Sequence, residues 1–381
     1  MLAFLPEPLP DEKKIREKTR AFVDAEVRPK AIEDDEKGRF RREAFEKLSR
    51  EKLHVVVVPK EHGGLGLSSR AYYAGLEELA RGSLAIAVTV GVTNLVQAAL
   101  IHFGSRGQKE KLLSRLVTGE WLGAFSLSEP GSGSDAAALR TTAKRVSGGY
   151  RVTGSKTWCS NGGQADLILL FARTAEPKAK GITAFLVPKG TPGFHAGKQE
   201  KKLGLRGSTL EELVFEDCFL EDSLRIGEEG QGLAVALSQL DTGRIAIGAV
   251  GIGAAREAIE RVWKYHARRQ QSGIPFPEGV KLGLAGHFAE TQACLALLGT
   301  AADLKDQGKP FTAIAAQVKL LGSDLAMRVT SDAVEWMEEA GYVRENEVER
   351  LMRDAKSLQI VEGTNQIQRV VLARELERML G

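Results

Sequence analysis

The hydrophobic period of this chain changes twice, and the order of those changes constrains the fold more than any single motif. In "DEKKIREKTRAFVDAEVRPKAIEDDEKG", Ile15, Thr19, Phe22 and Val23 recur at helical spacing, and "REAFEKLSREKL" repeats the amphipathic habit. A glycine-rich connection, "VPKEHGGLGLSS" (58–69), leads into apolar helix material and then a charged helix, "GSRGQKEKLLSRLVTGE", ending near Gly119. From Trp121 the texture becomes short β-like runs, "WLGAFSLSE", "YRVTGSKTW", "ADLILLFAR", "GITAFLVP" and "EELVFEDCFL", separated by Gly, Pro, Ser and Asn turn clusters. At "GEEGQGLAVALSQL" the helical period returns and lasts to the end. The expected organisation is an α+β multidomain chain: a helical domain over 1–119, a small β barrel or sandwich over 120–226 and a helical bundle over 227–381. Small residues in "GAVGIGAA" (248–255) are read as tight helix packing.

Composition removes several classes of function. Basic and acidic side chains nearly balance, 53 against 50, so no dense cationic field is available to hold a nucleic-acid backbone. Cys159, Cys218 and Cys294 are too few and too scattered for a disulfide framework or a metal site, which points to a reducing, cytoplasmic setting. "MLAFLPEPLPDEKK" is broken by prolines and acidic residues before a signal-peptide core or a spanning helix develops, so neither export nor membrane insertion is expected.

Four stretches carry candidate chemistry. "SLSEPGSGSDAAALR" (126–140) offers glycines, hydroxyls and free backbone N–H groups that suit an anion, and is equally readable as a plain turn. In "GSKTWCSNGG" (154–163), Trp158 beside Ser160 at a strand end could stack on a planar ring and bond its edge, although a core tryptophan is the commoner fate. "DTGR" (241–244) sets Asp241 at a helix start, where the dipole suits it without any function. In "IVEGTNQIQR" (360–369), Glu362 precedes a helix that Thr364 or Asn365 can cap, with Gln368 three residues after Asn365. Capping alone accounts for the last stretch. No histidine pair, Ser–His–Asp order or metal cluster competes for a catalytic role.

Taken in order, "PKEHGG" (59–64), "FSLSEPGSGSD" (125–135), "KTWCSNGG" (156–163), "LGLRGS" (203–208) and "LMRDAK…VEGTNQIQR" (351–369) resemble the acyl-CoA dehydrogenase family over essentially the whole chain. The resemblance implies an N-terminal helical domain, a middle β barrel and a C-terminal four-helix bundle, assembled as a homotetramer. It also implies FAD, an acyl-CoA substrate and an electron-transferring flavoprotein as electron acceptor. By position, Leu127 and Ser128 fall at the flavin pyrimidine edge, Phe125 among the cofactor contacts, and Ser134 at the region of the acyl-CoA and the cofactor phosphates. Trp158 matches the indole packed on the flavin, and Ser160 the hydroxyl facing its N5. Asp241, Arg244 and Gly363 fall on the substrate side, Thr364 and Gln366 on contacts towards FAD, and Arg269 on an FAD contact. Glu362 matches the α-proton base. Its backbone N–H would polarise the thioester carbonyl while the β-carbon passes hydride to flavin N5. Gly243 aligns with an alternative base position that glycine cannot serve, which favours short or medium straight-chain acyl groups.

The resemblance also has departures. "EWMEEAG" (335–341) carries Glu335 in place of a glutamine, and Glu338 and Glu339 in place of two glycines, in a stretch that approaches the FAD of a neighbouring subunit. Ser272 replaces an aromatic in "RQQSGIP" (269–275), and Val280 a glutamine. These five residues converge on the adenine and pyrophosphate half of the FAD site and weigh against its retention. A flavin-free relative that binds acyl-CoA or a partner subunit is therefore the second expectation. A flavin oxidase or monooxygenase relative is disfavoured, because such enzymes usually dispense with the glutamate.

Overall fold

A computed structural model describes residues 8–176 and 180–381; the apolar start of the N-terminal stretch, residues 1–7, lies outside them. Among the described residues seven α-helices come first: α1 (Pro10–Phe22), α2 (Ala31–Lys37), α3 (Arg42–Arg50), α4 (Ser69–Gly82), α5 (Leu84–Phe103), α6 (Arg106–Gln108) and α7 (Ser114–Thr118). Ile15, Thr19 and Phe22 on α1, and Val23 in the turn that follows it, are all buried, as their spacing predicts, and α1 packs on α4. The charged helix ends at Gly119, whose φ of 77° supplies the left-handed residue that closes it.

Eight strands follow among the described residues: β1 (Gly123–Ser126), β2 (Thr142–Val146), β3 (Gly149–Ser160), β4 (Leu167–Arg173), β5 (Ile182–Pro188), β6 (Phe194–Gln199), β7 (Leu210–Glu221) and β8 (Arg225–Ile226). They form one sheet in the order β6-β7-β3-β2-β4-β5-β8, with β1 added in parallel to β4. Tyr150, Val152, Ile168, Leu170, Phe185 and Phe215 come from both halves of the sheet and share one core, so the sheet is rolled round its own interior. The end strands β6 and β8 are not paired with each other. The five β-like runs fall on β1, β3, β4, β5 and β7. The other three escape sequence reading because β2 and β6 are mostly polar and exposed, and β8 has only two residues.

The C-terminal part is a bundle of α8 (Gly232–Gln271), α9 (Glu278–Asp306), α10 (Thr312–Trp336), α12 (Val348–Leu358) and α13 (Asn365–Leu380), with the short α11 (Glu339–Tyr342) between α10 and α12. The glycines of α8 set its distances. A Cβ at Gly248 would fall 2.7 Å from the Val318 carbonyl, and one at Gly251 would fall 2.5 Å from that of Gly322, both on α10. At Gly253 it would collide with the Glu77 carbonyl of α4. Close approach is thus what "GAVGIGAA" provides, and it sets both α10 and α4 against α8. α5 and α8 are long and apolar enough to cross a membrane, but 78% and 67% of their most apolar windows are buried in the fold, as befits core helices.

Candidate active site

The link between α12 and α13 is held in a bend that few sequences adopt. Glu362 has a φ of 54° and Gly363 one of 84°, two consecutive left-handed residues that reverse the chain. For a glutamate that conformation costs about 1–2 kcal/mol, so its surroundings must enforce it. They do so from both sides. Thr364 caps α13, accepting from Ile367 N at 3.3 Å, while Gln368 Nε2 donates to the carbonyls of Glu362 (3.2 Å) and Gly363 (2.8 Å). Thr364 is thus the cap, and Gln368 reaches back to carbonyls rather than to a capping amide. Asn365 is buried instead: its Nδ2 donates to Ser323 Oγ (3.0 Å) and Asp324 Oδ1 (2.7 Å), and its Oδ1 accepts from Lys319 Nζ at 2.6 Å.

Glu362 is half-buried, and its Oε2 is shut from solvent with no hydrogen-bond partner among the described residues. Burial pushes its carboxyl up to about 7, against the opposing pull of the Arg244 and Lys319 charges. Lys319, fully buried on α10, is itself pushed down by burial, with Glu362 and Asp324 resisting. Room for the carboxylate comes from Gly243 of α8, where a Cβ would fall 2.7 Å from Glu362 Oε2.

That carboxylate opens onto a cavity of 370 Å³. Its floor is Ala87, Val88, Gly91, Val92 and Leu95 of α5, facing Gly243, Ala246, Ile247 and Val250 of α8; its mouth carries Lys201, Lys202, Arg353 and Lys356. Trp158 and Ser160 form another wall. Trp158 has a φ of 58° and sits where β3 slips register against β7 between Lys156 and Cys159, a bulge that turns the indole outward to 62% exposure. Beneath it the neighbouring loop is fixed by buried Lys156, whose Nζ bonds Glu129 Oε1 at 2.8 Å and the Leu127 carbonyl at 3.1 Å. Glu129 also accepts from the N–H groups of Arg140 (2.6 Å) and Thr141 (2.9 Å).

Of the residues singled out in the sequence, Glu362, Trp158 and Ser160 line this cavity. Arg244 stands behind the carboxylate, with Nη1 donating to Asp241 Oδ1 at 2.7 Å, and Asp241 Oδ2 accepts from Thr312 Oγ1 at 2.6 Å. "DTGR" is not at a helix start; it lies inside α8, because the helical run of α8 begins upstream at Gly232. Leu127 is buried, Phe125 is half-buried on β1 against Phe171 (ring centroids 5.1 Å apart), and the Ser128 carbonyl accepts from Thr157 N at 2.9 Å. Ser134 and Gln366 are exposed and Gly363 half-buried, all three outside the cavity lining. Arg269 is about 39 Å further along α8 from Gly243, beyond reach of a ligand in this chain's own cavity.

Sequence reasoning missed the cavity floor and Lys319, and read Asn365 only as a possible cap. The floor has a signal in retrospect: 88, 91, 92 and 95, and 243, 246, 247 and 250, repeat at i, i+3, i+4 and i+7. α5 and the middle of α8 (245–255) are apolar nearly all round, so the pattern alone does not say which stripe faces a cavity.

Whether the residues present suit a flavin depends on which end is considered. At the ring end they fit: an exposed indole, a hydroxyl and an unpartnered carboxylate share one cavity wall. At the phosphate end, Arg269 is engaged by Glu338 at 2.9 Å, Glu335, Glu339 and Ser272 are exposed, and Val280 packs on the helical core. A larger cavity, 750 Å³, lies between α1, α4 and α8, but most of its charges are paired among themselves, as in Arg28 with Glu257 (2.6 Å) and Arg81 with Glu260 (2.7 Å), and Arg268 donates to the Lys264 carbonyl. Arg20, Arg28, Arg81 and Arg261 are therefore committed, whereas Glu362 Oε2 is not.

Three helix-rich and sheet parts around a buried carboxylate and an exposed indole define a class, and comparison with known proteins supplies it. Families described as acyl-CoA dehydrogenase N-terminal, middle and C-terminal domains match residues 10–120, 124–218 and 230–377. An acyl-CoA dehydrogenase of Bacillus subtilis (strain 168) is 38% identical over 366 residues, covering 95% of this chain and 97% of that protein. An acryloyl-CoA reductase (NADH) of Anaerotignum propionicum is 39% identical over 372 residues, 96% of this chain and 94% of its own. The solved butyryl-CoA dehydrogenase of Megasphaera elsdenii superposes with a TM-score of 0.93 at 35% identity, covering 98% and 99% of the two chains. The chain belongs to the acyl-CoA dehydrogenase family, a family of oxidoreductases.

Proposed function

We propose that this chain desaturates a short or medium straight-chain acyl-CoA between its α and β carbons, with Glu362 as the base. The observation that carries the reading is Oε2 of Glu362, buried and unpartnered on the wall of the 370 Å³ cavity beside Trp158 and Ser160. A carboxylate left without a donor is costly unless a proton is to be its partner. With its carboxyl near 7, Glu362 is half ionised at neutral pH and strong enough as a base to take an acidified α-proton. Its own backbone N–H is the donor for the thioester carbonyl as charge develops there. The strained bend holds both groups of one residue towards one ligand atom pair, and Arg244 and Lys319 keep enough positive charge nearby to leave Glu362 ionisable.

Trp158 and Ser160 hold the ring end of FAD, with Phe125, Leu127, Ser128, Thr364 and Gln366 along its edge. FAD, when bound, supplies the hydride acceptor for the β-hydrogen. Lys201, Lys202 and Lys356 at the mouth suit the phosphates of coenzyme A, Arg353 there being held by Asp35 (2.7 Å) and Glu349 (2.6 Å), while Asp241, Arg244, Gly363 and Ser134 belong to the substrate side. The small volume of 370 Å³ between α5 and α8 favours a short acyl chain, in line with the relative whose name is butyryl-CoA dehydrogenase. Electrons then pass to an electron-transferring flavoprotein, and the working form is a cytoplasmic homotetramer.

Exchange of the substrate α-proton isolates the base from the rest of the reaction. Butyryl-CoA in D₂O should lose its α-proton NMR signal in the presence of the wild type and keep it with Glu362→Gln. Equal exchange by both proteins removes Glu362 from the role.

A further inference from the structure

Arg269 and Glu338 meet far from the cavity, and both are odd. Arg269 Nη1 donates to Glu338 Oε2 at 2.9 Å and to the Tyr265 hydroxyl at 3.0 Å, with the guanidinium 5.2 Å over the Tyr265 ring. Glu338 follows α10 with φ 57° and ψ −138°, a backbone open to glycine and disfavoured for any side chain. The chain thus keeps a glycine conformation where it carries a glutamate, and aims that glutamate at an arginine. Exposed ion pairs contribute little stability, so this one does not repay the strain by itself.

We infer that Glu338 is an internal counter-ion that occupies the guanidinium which would otherwise meet a cofactor diphosphate, so the chain holds a flavin dinucleotide mainly by its ring end. The inference rests on the flavin reading of the cavity and on a second copy of the chain bringing Arg269 to the phosphates, because Arg269 is out of reach within one chain. An anionic diphosphate must displace one carboxylate from Arg269 and then sit beside it, losing on both counts. The ring end feels neither effect.

Flavin-stripped protein titrated with FAD and with riboflavin, read by fluorescence quenching and by the rise in Tm, tests this. Glu338→Gln should tighten FAD at least tenfold and leave riboflavin within twofold of wild type. Arg269→Gln should weaken FAD less than threefold in the wild type but cancel the gain in the Glu338→Gln background, a coupling that a purely structural role would not produce. Glu338→Gly should tighten FAD similarly and raise the Tm of the flavin-free protein as well, since it removes the strained φ. FAD binding no tighter in Glu338→Gln, or an Arg269→Gln effect equal in both backgrounds, overturns the counter-ion while leaving the ring site intact. Failure of every variant to take up either flavin overturns it together with the flavin reading.

Discussion

Gly243 of α8 and Glu362 of the α12–α13 link occupy one another's space: a Cβ on the glycine would lie 2.7 Å from Glu362 Oε2 and 3.1 Å from Oε1. The helix has a notch, and the carboxylate rests in it. Any side chain at 243 must displace Glu362 or be displaced by it. Gly243→Ala should therefore cost about 1–3 kcal/mol in urea unfolding, as overpacked cores do, and lower kcat/KM at least tenfold by moving the base. A variant with wild-type kinetics would show that the carboxylate works from elsewhere.

The pH dependence follows from the buried state of the same group. Glu362 is raised to about 7, so kcat/KM should climb about tenfold per pH unit below 7 and level off above it. A profile flat from pH 5.5 to 8.5 would contradict this.

Stability should run the opposite way. A carboxyl raised from its ordinary value near 4.5 to about 7 binds its proton more tightly folded than unfolded. Its cost is absent below pH 4.5, grows between 4.5 and 7 and is complete above 7. Glu362→Gln should match the wild type at pH 4.5 and exceed it at pH 8, by no more than about 3 kcal/mol. Denaturant midpoints at the two pH values measure the difference.

Lys319 supplies part of the positive field on Glu362 and anchors Asn365 at 2.6 Å. Removing that charge in Lys319→Met should move the midpoint of the kcat/KM profile to higher pH, and Lys319→Arg should keep it nearer the wild type. An unshifted midpoint in a folded Lys319→Met protein would assign the field to Arg244 alone.

Trp158 is 62% exposed, so Trp158→Ala should leave the Tm of flavin-free protein within 2 °C or so of wild type, a surface effect of about 0.5 kcal/mol or less. Flavin affinity should nevertheless fall about tenfold with loss of the ring contact. Equal affinity would mean that the indole is a lid or a subunit contact instead.

Much of this was legible without coordinates, and the limits were physical. The buried stripe of α1 and the five apolar strands announced themselves, because each element has one burial period. β2, β6 and β8 did not, because polar edge strands lack that period. Glu362 read locally as a charge before a helix, and only the ordered motifs resembling one family pointed to a base. Neither reading revealed the notch at Gly243, the bulge that turns Trp158 outward or the lysine behind the carboxylate. Each of those depends on contact between segments remote in sequence: α8 with the α12–α13 link, β3 with β7, and α10 with α13. Glu338 was legible as a departure, but its pairing with Arg269 was not, since the two lie 69 positions apart.

The role of Glu362 as the base for acyl-CoA desaturation on a bound flavin is read out by the visible spectrum of FAD-loaded protein under anaerobic butyryl-CoA. The flavin band of the wild type should bleach on mixing, and that of Glu362→Gln should stay oxidised or bleach at least a hundredfold more slowly. A wild-type band that butyryl-CoA leaves unchanged, or a Glu362→Gln band that bleaches at the wild-type rate, would contradict it.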